Sequence, residues 1–210
     1  MKIGIFGGTF DPIHIAHLRV AEEVREGLGL SEVWFIPAGT PPHKRNAPHL
    51  PFKERLKLVE LAIEGNPAFR VLDIEGRRQG PSYTVDTLTE LRKSHLQYEF
   101  YFILGLDAFL EFETWHEYHR LPELAALVVI NRGPLGVKSA VNKARQLFPT
   151  FEFRRDRLLG PKNQKILFLQ VTPLEISSTL IRQSLWAGRS IRYLVPESVR
   201  LYIEKHRLYL

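Results

Sequence analysis

The chain has 210 residues, 44% hydrophobic and 25% charged, so it is long enough to bury a core and has the composition of a globular protein. It contains no cysteine, which excludes disulfides and thiolate metal sites and makes a cytoplasmic setting the simplest expectation. No apolar run reaches the length of a membrane span, and because the first strand begins at once we expect no signal peptide.

The net charge of +6 favours anionic partners. The basic side chains are scattered, without an RNA-binding motif or interleaved aromatic residues. We therefore expect small phosphorylated molecules as partners, with neither nucleic acid nor a membrane among them. The sequence leaves open whether the chain forms a homo-oligomer.

The opening stretch, residues 3–17, predicts a buried strand, a glycine loop and the start of a helix. Residues 3–6 are apolar, and Gly7-Gly8 permits positive φ and close approach of a ligand. After the turn expected at Asp11-Pro12, His14 and His17 fall three residues apart and share one helix face. Free N–H groups and two imidazoles at a helix N-terminus favour a polyphosphate site.

Other interpretations of this stretch fit less well. A zinc protease motif would separate its histidines by four positions, with a glutamate between them, where this chain has Ile15-Ala16. The dinucleotide pattern G-x-G-x-x-G and the Walker pattern ending in Gly-Lys-Ser/Thr are absent. We therefore expect no bound metal of the protein's own, no dehydrogenase and no P-loop enzyme.

Short apolar runs alternate with amphipathic segments up to residue 130, which is typical of an α/β protein with a doubly wound parallel sheet. Strands are predicted at residues 3–6, 32–36, 69–73, 98–104, 127–130 and 165–171, with a short one at 151–153. Helices are predicted at residues 14–28, 52–64, 138–147, 177–187 and 196–206. A further helix follows residues 80–82, where Thr87 to Glu90 resembles a capping box and Ser82 and Thr84 are alternative starts.

We expect one domain, residues 1–210, in which a small helical subdomain of residues 172–210 closes over a core of residues 1–171. Residues 37–51 contain five prolines and the basic run 43–45, and they predict a long surface loop. This loop follows a strand's carboxyl end, where open α/β sheets bind ligands, so it is expected to be functional. A solvated basic loop is the alternative.

The segment 175–182 near the other end of the chain repeats the chemistry of the opening stretch. Ser177 is suited to cap the following helix, Ser178 and Thr179 add hydroxyl groups at its positive end, and Arg182 offers a guanidinium fork. An ordinary capped helix is the alternative.

Two motifs identify a family resemblance. Gly-Gly-Thr-Phe-Asp-Pro-x-His-x-x-His at residues 7–17 and Ile-Ser-Ser-Thr-x-Ile-Arg at 176–182 resemble the two signatures of the nucleotidyltransferase superfamily of adenylyl and cytidylyl transferases. Further stretches are similar to bacterial nicotinate-nucleotide adenylyltransferases, so that the resemblance covers essentially the whole chain. These are residues 41–44, 82–88, 105–107, 114–116 and 193–196.

The resemblance implies a Rossmann-like fold and transfer of AMP from ATP to nicotinate mononucleotide, giving deamido-NAD and pyrophosphate in NAD biosynthesis. ATP would be the co-substrate, with Mg²⁺ carried on its phosphates. The catalytic residues implied are His14, His17, Lys44 and Arg182. ATP-binding residues would be Gly7, Gly8, Thr9, Phe10, Ser177, Ser178, Thr179 and Arg182.

For the acceptor, the resemblance implies that Thr84 and His116 offer backbone N–H groups to the nicotinate carboxylate and that Trp115 stacks on the pyridine ring. Asp107 would contact ribose, and Arg132 would hold the acceptor's phosphate. His43 is a further substrate-binding candidate. The structural alternatives are a packed Trp115 and a helix-capping role for Asp107.

The chain departs from the family pattern at Ala16 and at Leu106, where a smaller residue is usual. We expect the larger side chain of Leu106 to change how a nucleotide is seated beside Asp107. A different phosphorylated acceptor, such as nicotinamide mononucleotide or phosphopantetheine, is an alternative. So is a non-catalytic nucleotide-binding or RNA-binding regulator on the same fold.

Overall fold

A computed structural model of the protein describes residues 1–39, 50–131, 136–154 and 157–209. In these residues eight strands form one sheet, in the order β3-β2-β1-β4-β5-β8-β7-β6. The strands are β1 (Lys2–Gly8), β2 (Glu32–Pro37), β3 (Phe69–Val71), β4 (Glu99–Gly105), β5 (Ala126–Asn131), β6 (Glu152–Arg154), β7 (Arg157–Leu159) and β8 (Lys165–Gln170).

The described helices flank this sheet or connect its strands. They are α1 (Ile15–Leu28), α2 (Phe52–Ile63), α3 (Thr84–Ser94), α4 (Leu106–Leu110), α5 (Leu121–Leu124), α6 (Gly136–Leu147), α7 (Ser178–Trp186) and α8 (Glu197–Lys205), with 3₁₀ turns at Phe112–Thr114 and Tyr118–Arg120. Together with the sheet they confirm the predicted α/β class.

The sheet is parallel from β3 through β8, and only β7 and β6 join it antiparallel. Strand order reverses at β1. The strands β2 and β3 follow on one side of β1, and the chain then returns to place β4 and β5 on its other side. A ligand cleft is expected outside the carboxyl ends of the strands at such a reversal. The carboxyl end of β1 is the glycine loop.

Helices cover both faces of the sheet, as a doubly wound fold requires. In β4, Phe100 and Phe102 pack in one apolar cluster with α3 and α6, whereas Tyr101 and Ile103 pack in another with α1, α2, α7 and α8. Adjacent strand residues point to opposite faces, so a strand buried on both sides is a continuous apolar run. Ile181 of α7 belongs to this second cluster, so the C-terminal helices share a core with the sheet. The boundary proposed at residue 171 stays a prediction.

Three parts of the connectivity differ from the sequence prediction. Helix α3 begins at Thr84 with Tyr83 as its N-cap, which confirms the alternative start at Thr84. The capping box at Thr87 is wrong, because the Thr87 hydroxyl donates to the buried Glu75 carboxylate at 2.8 Å. Residues 106–124 form short helices that were not predicted, and β7 adds an unpredicted antiparallel strand. Among the described residues no helix is long and apolar enough to cross a membrane.

Candidate functional site

Gly7 and Gly8, predicted as a loop, are the last two residues of β1, and the turn that follows them contains Phe10. Phe10 has a positive φ of 50° and is 2% exposed, and its ring packs edge-on against Phe6 and His17. A Cβ placed on Gly8 would lie 2.9 Å from the Phe10 ring, so this glycine lets the loop fold over the ring. The Phe10 side chain thus supports the loop from the core, and a role in ATP binding would fall to its main chain.

The two histidines of the motif lie together at the start of α1. Their rings are stacked, with centroids 3.7 Å apart and planes inclined by 27°. His14 is the N-cap residue, and its backbone N–H donates to Nδ1 of His17 at 3.3 Å. Because Nδ1 of His17 is an acceptor, the proton of its neutral ring lies on Nε2. The predicted shared face is confirmed, although the helix begins one residue later, at Ile15.

The segment at the far end of the chain meets this turn in space. Ser178 donates to the carbonyl of Pro12 at 2.9 Å, and Nη1 of Arg182 donates to the carbonyl of Asp11 at 2.6 Å. The Ile15 N–H also donates to the carbonyl of Leu194 at 3.0 Å. The two motifs, some 160 residues apart in sequence, are therefore in direct contact.

Helix α7 begins as the sequence predicted. The Ser177 hydroxyl accepts from the backbone N–H of Leu180 at 3.1 Å, which confirms the N-cap. Arg182 also donates to the Thr179 hydroxyl at 3.3 Å. Hydroxyl and guanidinium groups thus surround the positive end of α7, next to the glycine turn.

A cleft of about 360 Å³ opens at the carboxyl ends of β1 and β4. Six of its lining residues were predicted as site residues: Gly7, Gly8, Thr9, Thr84, Trp115 and His116. The cleft wall does not include His14, His17, Asp107 or the residues 177–182, which lie outside its lining. The structure therefore unites the glycine loop with the predicted acceptor residues.

The cleft lining includes an aromatic side chain and the start of a helix, at the residues predicted to bind the acceptor. Trp115 is half-buried, with its ring 5.3 Å from Phe112 and 6.1 Å from Phe102, so one part packs while another lines the cleft. Thr84 is the first residue of α3, where backbone N–H groups have no intrahelical acceptor. The exposed His116 ring lies 4.5 Å from that of Tyr83.

Leu106 and Ala16 do not obstruct this cleft. Leu106 is the first residue of α4 and packs against the apolar cluster beneath, close to Gly136, and it is not part of the cleft lining. Ala16 is 1% exposed in the core. Asp107, next to Leu106, is exposed in the first turn of α4 rather than at the end of the strand. Its contact with ribose stays a prediction.

Three predicted site residues, His43, Lys44 and Arg132, lie outside the residues that the structure describes. The flanks of residues 40–49 are held at the site: the Ala38 N–H donates to the Gly8 carbonyl at 2.8 Å and the Leu50 N–H to the Asp11 carboxylate at 3.4 Å. Ala38 and Leu50, the described residues on either side of this segment, therefore lie beside the turn that follows β1.

Arg55 is a site-supporting residue that sequence reasoning missed. It is 2% exposed, and its guanidinium donates to the carbonyls of Thr9 at 2.7 Å and Ala38 at 2.7 Å, with a longer contact to Gly39 at 3.2 Å. Burial lowers the pKa of Arg55, and the nearby Asp11 carboxylate opposes this effect. The available signal was an arginine three residues before Leu58, on the buried face of an amphipathic helix.

Glu75 is a second residue that was missed, and it lines the cleft. Its carboxylate accepts from the Thr87 hydroxyl at 2.8 Å and the Gly39 N–H at 3.3 Å, which ties the end of β2 to α3. Burial raises the pKa of Glu75 above its usual value, while these hydrogen bonds and Arg78 act in the opposite direction. In the described part of the chain, no group of three or more His, Cys, Asp or Glu side chains could hold a metal ion.

The fold places the protein in a class. It resembles the solved Plasmodium falciparum nicotinic acid mononucleotide adenylyltransferase complexed with NaAD, with a TM-score of 0.77 and 24% sequence identity. The alignment covers 99% of this chain and 97% of that one. The protein therefore has the nucleotidyltransferase fold.

Sequence comparison identifies the family. The family model for cytidylyltransferase-like proteins matches residues 5–184. A "probable nicotinate-nucleotide adenylyltransferase" of Geobacter metallireducens is 45% identical over 212 residues, which cover 100% of this chain and 98% of the relative. A relative of the same name from Geotalea uraniireducens is 46% identical over 213 residues, with the same coverage. The chain belongs to the cytidylyltransferase-like family and, within it, to the nicotinate-nucleotide adenylyltransferases.

Proposed function

We propose that the protein transfers AMP from ATP to nicotinate mononucleotide, giving nicotinate adenine dinucleotide (deamido-NAD) and pyrophosphate, a step in NAD biosynthesis. The observation that carries the proposal is the cleft, which joins the Gly7-Gly8-Thr9 loop to the Trp115 ring and the start of α3. Full-length relatives named for this reaction support the same assignment.

The acceptor would bind between Trp115 and the start of α3. A pyridine ring can stack on the half-buried indole, and the nicotinate carboxylate can accept from the backbone N–H groups of Thr84 and His116. The N-terminus of the 11-residue helix α3 carries a partial positive charge that favours an anion. Arg132 and His43 would contribute to acceptor binding.

ATP would lie between the glycine loop and the start of α7. The loop N–H groups of Gly7, Gly8 and Thr9, together with the Phe10 main chain, would line the phosphates. Nε2 of His17 would donate to the α-phosphate beside the His14 ring. Ser177, Ser178, Thr179 and Arg182 would hold the triphosphate from the opposite side, and Lys44 would add a point charge.

In this reaction an oxygen of the acceptor's phosphate attacks the α-phosphorus of ATP, and the bond to the pyrophosphate leaving group breaks. The nucleophile is already an anion, so neither a general base nor a covalent intermediate is needed. Catalysis then requires in-line alignment of two polyanions and neutralisation of the charge that develops on the leaving group. His14, His17, Lys44 and Arg182 are the side chains proposed for this. Mg²⁺ would arrive bound to the ATP phosphates and supply further charge neutralisation.

A pyrophosphate-release assay tests the proposal. The protein is incubated with ATP, Mg²⁺ and either nicotinate or nicotinamide mononucleotide, and the dinucleotide product is identified by mass spectrometry. We expect release with nicotinate mononucleotide at a higher kcat/KM than with the amide, because backbone N–H donors favour a carboxylate. A reversed preference would replace the proposed acceptor. ATP binding without release in either mixture would overturn the transferase and favour a non-catalytic regulator.

The cysteine-free composition supports a cytoplasmic setting for this reaction.

A further inference from the structure

Asp11 is the centre of a buried cluster that the proposed reaction does not use directly. Its side chain is part of a residue that is 2% exposed, and Oδ1 accepts from the hydroxyl of Tyr209 at 2.6 Å. Residues 11 and 209 are 198 positions apart in sequence. A buried carboxylate is costly unless it is hydrogen-bonded, and the Tyr209 hydroxyl supplies one of its hydrogen bonds.

The Tyr209 hydroxyl keeps its proton and donates a hydrogen bond to the Asp11 carboxylate. Burial raises the pKa of its hydroxyl well above the usual value, and the hydrogen bond to Asp11 raises it further, while Arg182 and Arg55 act in the opposite direction. The hydroxyl therefore stays protonated under physiological conditions. Its backbone has a positive φ of 68°, so residue 209 is held in a specific conformation that favours glycine.

The same turn holds the proposed ATP ligands in place. The main-chain carbonyl of Asp11 accepts from Arg182 at 2.6 Å, the next carbonyl, of Pro12, accepts from Ser178 at 2.9 Å, and the carbonyl of Thr9 accepts from Arg55 at 2.7 Å. A rotation of the Asp11 peptide would displace Arg182 and the loop together. The Asp11 carboxylate accepts a short hydrogen bond from the Tyr209 hydroxyl at 2.6 Å and a longer one from the Leu50 N–H at 3.4 Å. The hydroxyl therefore contributes to the orientation of both Arg182 and the turn.

We propose that Tyr209 is a positioning residue for ATP: its hydroxyl, through the Asp11 carboxylate, holds the turn at residues 9–12 in register with the start of α7. This inference rests on the proposed transferase function and extends it to a residue outside the ligand-binding motifs. It predicts that the hydroxyl affects the ATP half of the site and leaves the acceptor half, around Trp115 and Thr84, unchanged.

Tyr209→Phe tests the inference, because it removes the hydroxyl and keeps the ring. We expect KM for ATP to rise about five- to tenfold, while KM for nicotinate mononucleotide stays within about twofold of wild type. Tyr202→Phe is the matched control. The Tyr202 hydroxyl also donates to a carboxylate, that of Glu54 at 3.1 Å, but it joins α8 to α2. This control is expected to leave both KM values unchanged.

A double-variant cycle gives a second measurement. In an Asp11→Ala background, Tyr209→Phe is expected to cause no further change in KM for ATP, because its acceptor is gone. If Asp11→Ala does not fold, the comparison of Tyr209→Phe with Tyr202→Phe decides alone. An unchanged KM for ATP in Tyr209→Phe overturns the inference, and so does an equal rise in both KM values. Absence of pyrophosphate release by the wild-type protein would instead overturn the proposed function.

Discussion

The two nitrogens of the His17 ring have different tasks in the proposed reaction. Nδ1 accepts from the His14 N–H and orients the ring, whereas Nε2 carries the proton that would meet the α-phosphate. The pairing of histidines three apart was predictable from helix periodicity. Their stacking was not, because His14 caps the helix and its backbone is extended rather than helical.

His17→Asn separates these tasks, since the amide oxygen can accept from the His14 N–H while the Nε2 donor is lost. We expect kcat to fall about 10²- to 10³-fold, the cost of removing one donor to developing charge. The melting temperature should stay near that of wild type. His119→Asn, at an exposed histidine, is the control and should retain full activity. Steady-state rates near wild type in His17→Asn would contradict the role of His17.

One part of the Trp115 ring packs against Phe102 and Phe112 and another part lines the cleft. Its replacement should therefore weaken binding of nicotinate mononucleotide and leave ATP binding unchanged. We expect Trp115→Ala to raise KM for nicotinate mononucleotide about 10- to 100-fold through loss of stacking, with KM for ATP little changed. Trp115→Phe should recover most of the affinity. Trp186→Ala, at a tryptophan that is 65% exposed in α7, is the control. Equal increases for both substrates in Trp115→Ala would count against a stacking role.

At the scale of elements, the two glycines at the end of β1 have different surroundings, and this difference shapes the strand-to-helix turn. The sequence shows two adjacent glycines and does not distinguish them, because their difference arises from the Phe10 ring that folds back beneath the loop. Gly7 has ordinary space, since an added Cβ would lie 3.6 Å from the Phe102 ring. Gly8 has none, as its Cβ would lie 2.9 Å from Phe10.

Gly8→Ala should therefore destabilise the protein by about 1–3 kcal/mol through overpacking, and Gly7→Ala by less than about 0.5 kcal/mol. Urea unfolding followed by circular dichroism measures both differences. If the two variants unfold at the same urea concentration, Phe10 yields to the added methyl group and does not set the shape of the loop.

The start of α3 shows why local sequence signals fail for some elements. Thr87 and Glu90 have the spacing of a capping box, but the Thr87 hydroxyl pairs with Glu75 from another segment and Glu90 pairs with Arg78. A tertiary contact has overridden the local pattern. The helix begins four residues earlier than a capping box at Thr87 would place it, so Thr84 lies in its first turn beside the cleft.

At the scale of the whole molecule, alternation of strand and helix was enough to predict the doubly wound sheet, because each buried strand is an unbroken apolar run. The antiparallel edge was missed, since Arg157–Leu159 is too short to show alternation and its pairing depends on β8. The helices within 106–124 were missed for a similar reason. They have three to five residues each, and buried side chains such as Phe112 and Leu121 hold them in place.

Glu75 connects two parts of the fold, and its pKa gives a test of stability against pH. Because burial raises the folded-state pKa of Glu75, the native state binds this proton more tightly than the unfolded chain. Its contribution to stability is then largest below the unfolded pKa and is lost as the pH rises through the folded value. We expect Glu75→Gln to become more stable relative to wild type as the pH rises from about 4 to about 7.

Glu113→Gln is a control of opposite sign. Lys143 lowers the pKa of Glu113, so this carboxylate stabilises the native state above its unfolded pKa. Its replacement should therefore become less stable relative to wild type over the same pH range. Urea unfolding at several pH values measures both series. If the stability of Glu75→Gln and of wild type changed in parallel with pH, Glu75 would have the same pKa in the folded and unfolded states, which contradicts the prediction.

The contacts between the glycine turn and the C-terminal region have a consequence for biosynthesis. Ser178 and Arg182 lie 166 and 171 positions beyond their acceptors in the turn, and Tyr209 lies 198 positions beyond Asp11. On a ribosome, β1 emerges first, and all the other described strands are made before α7. A nascent chain that stops short of α7 still contains the strands that pair with β1, but its turn at residues 9–12 lacks its partners Ser178 and Arg182. Translation therefore delays these contacts until the described strands have all been made, and premature termination before α7 would leave the turn without Ser178 and Arg182, so that the proposed nucleotide site would stay incomplete.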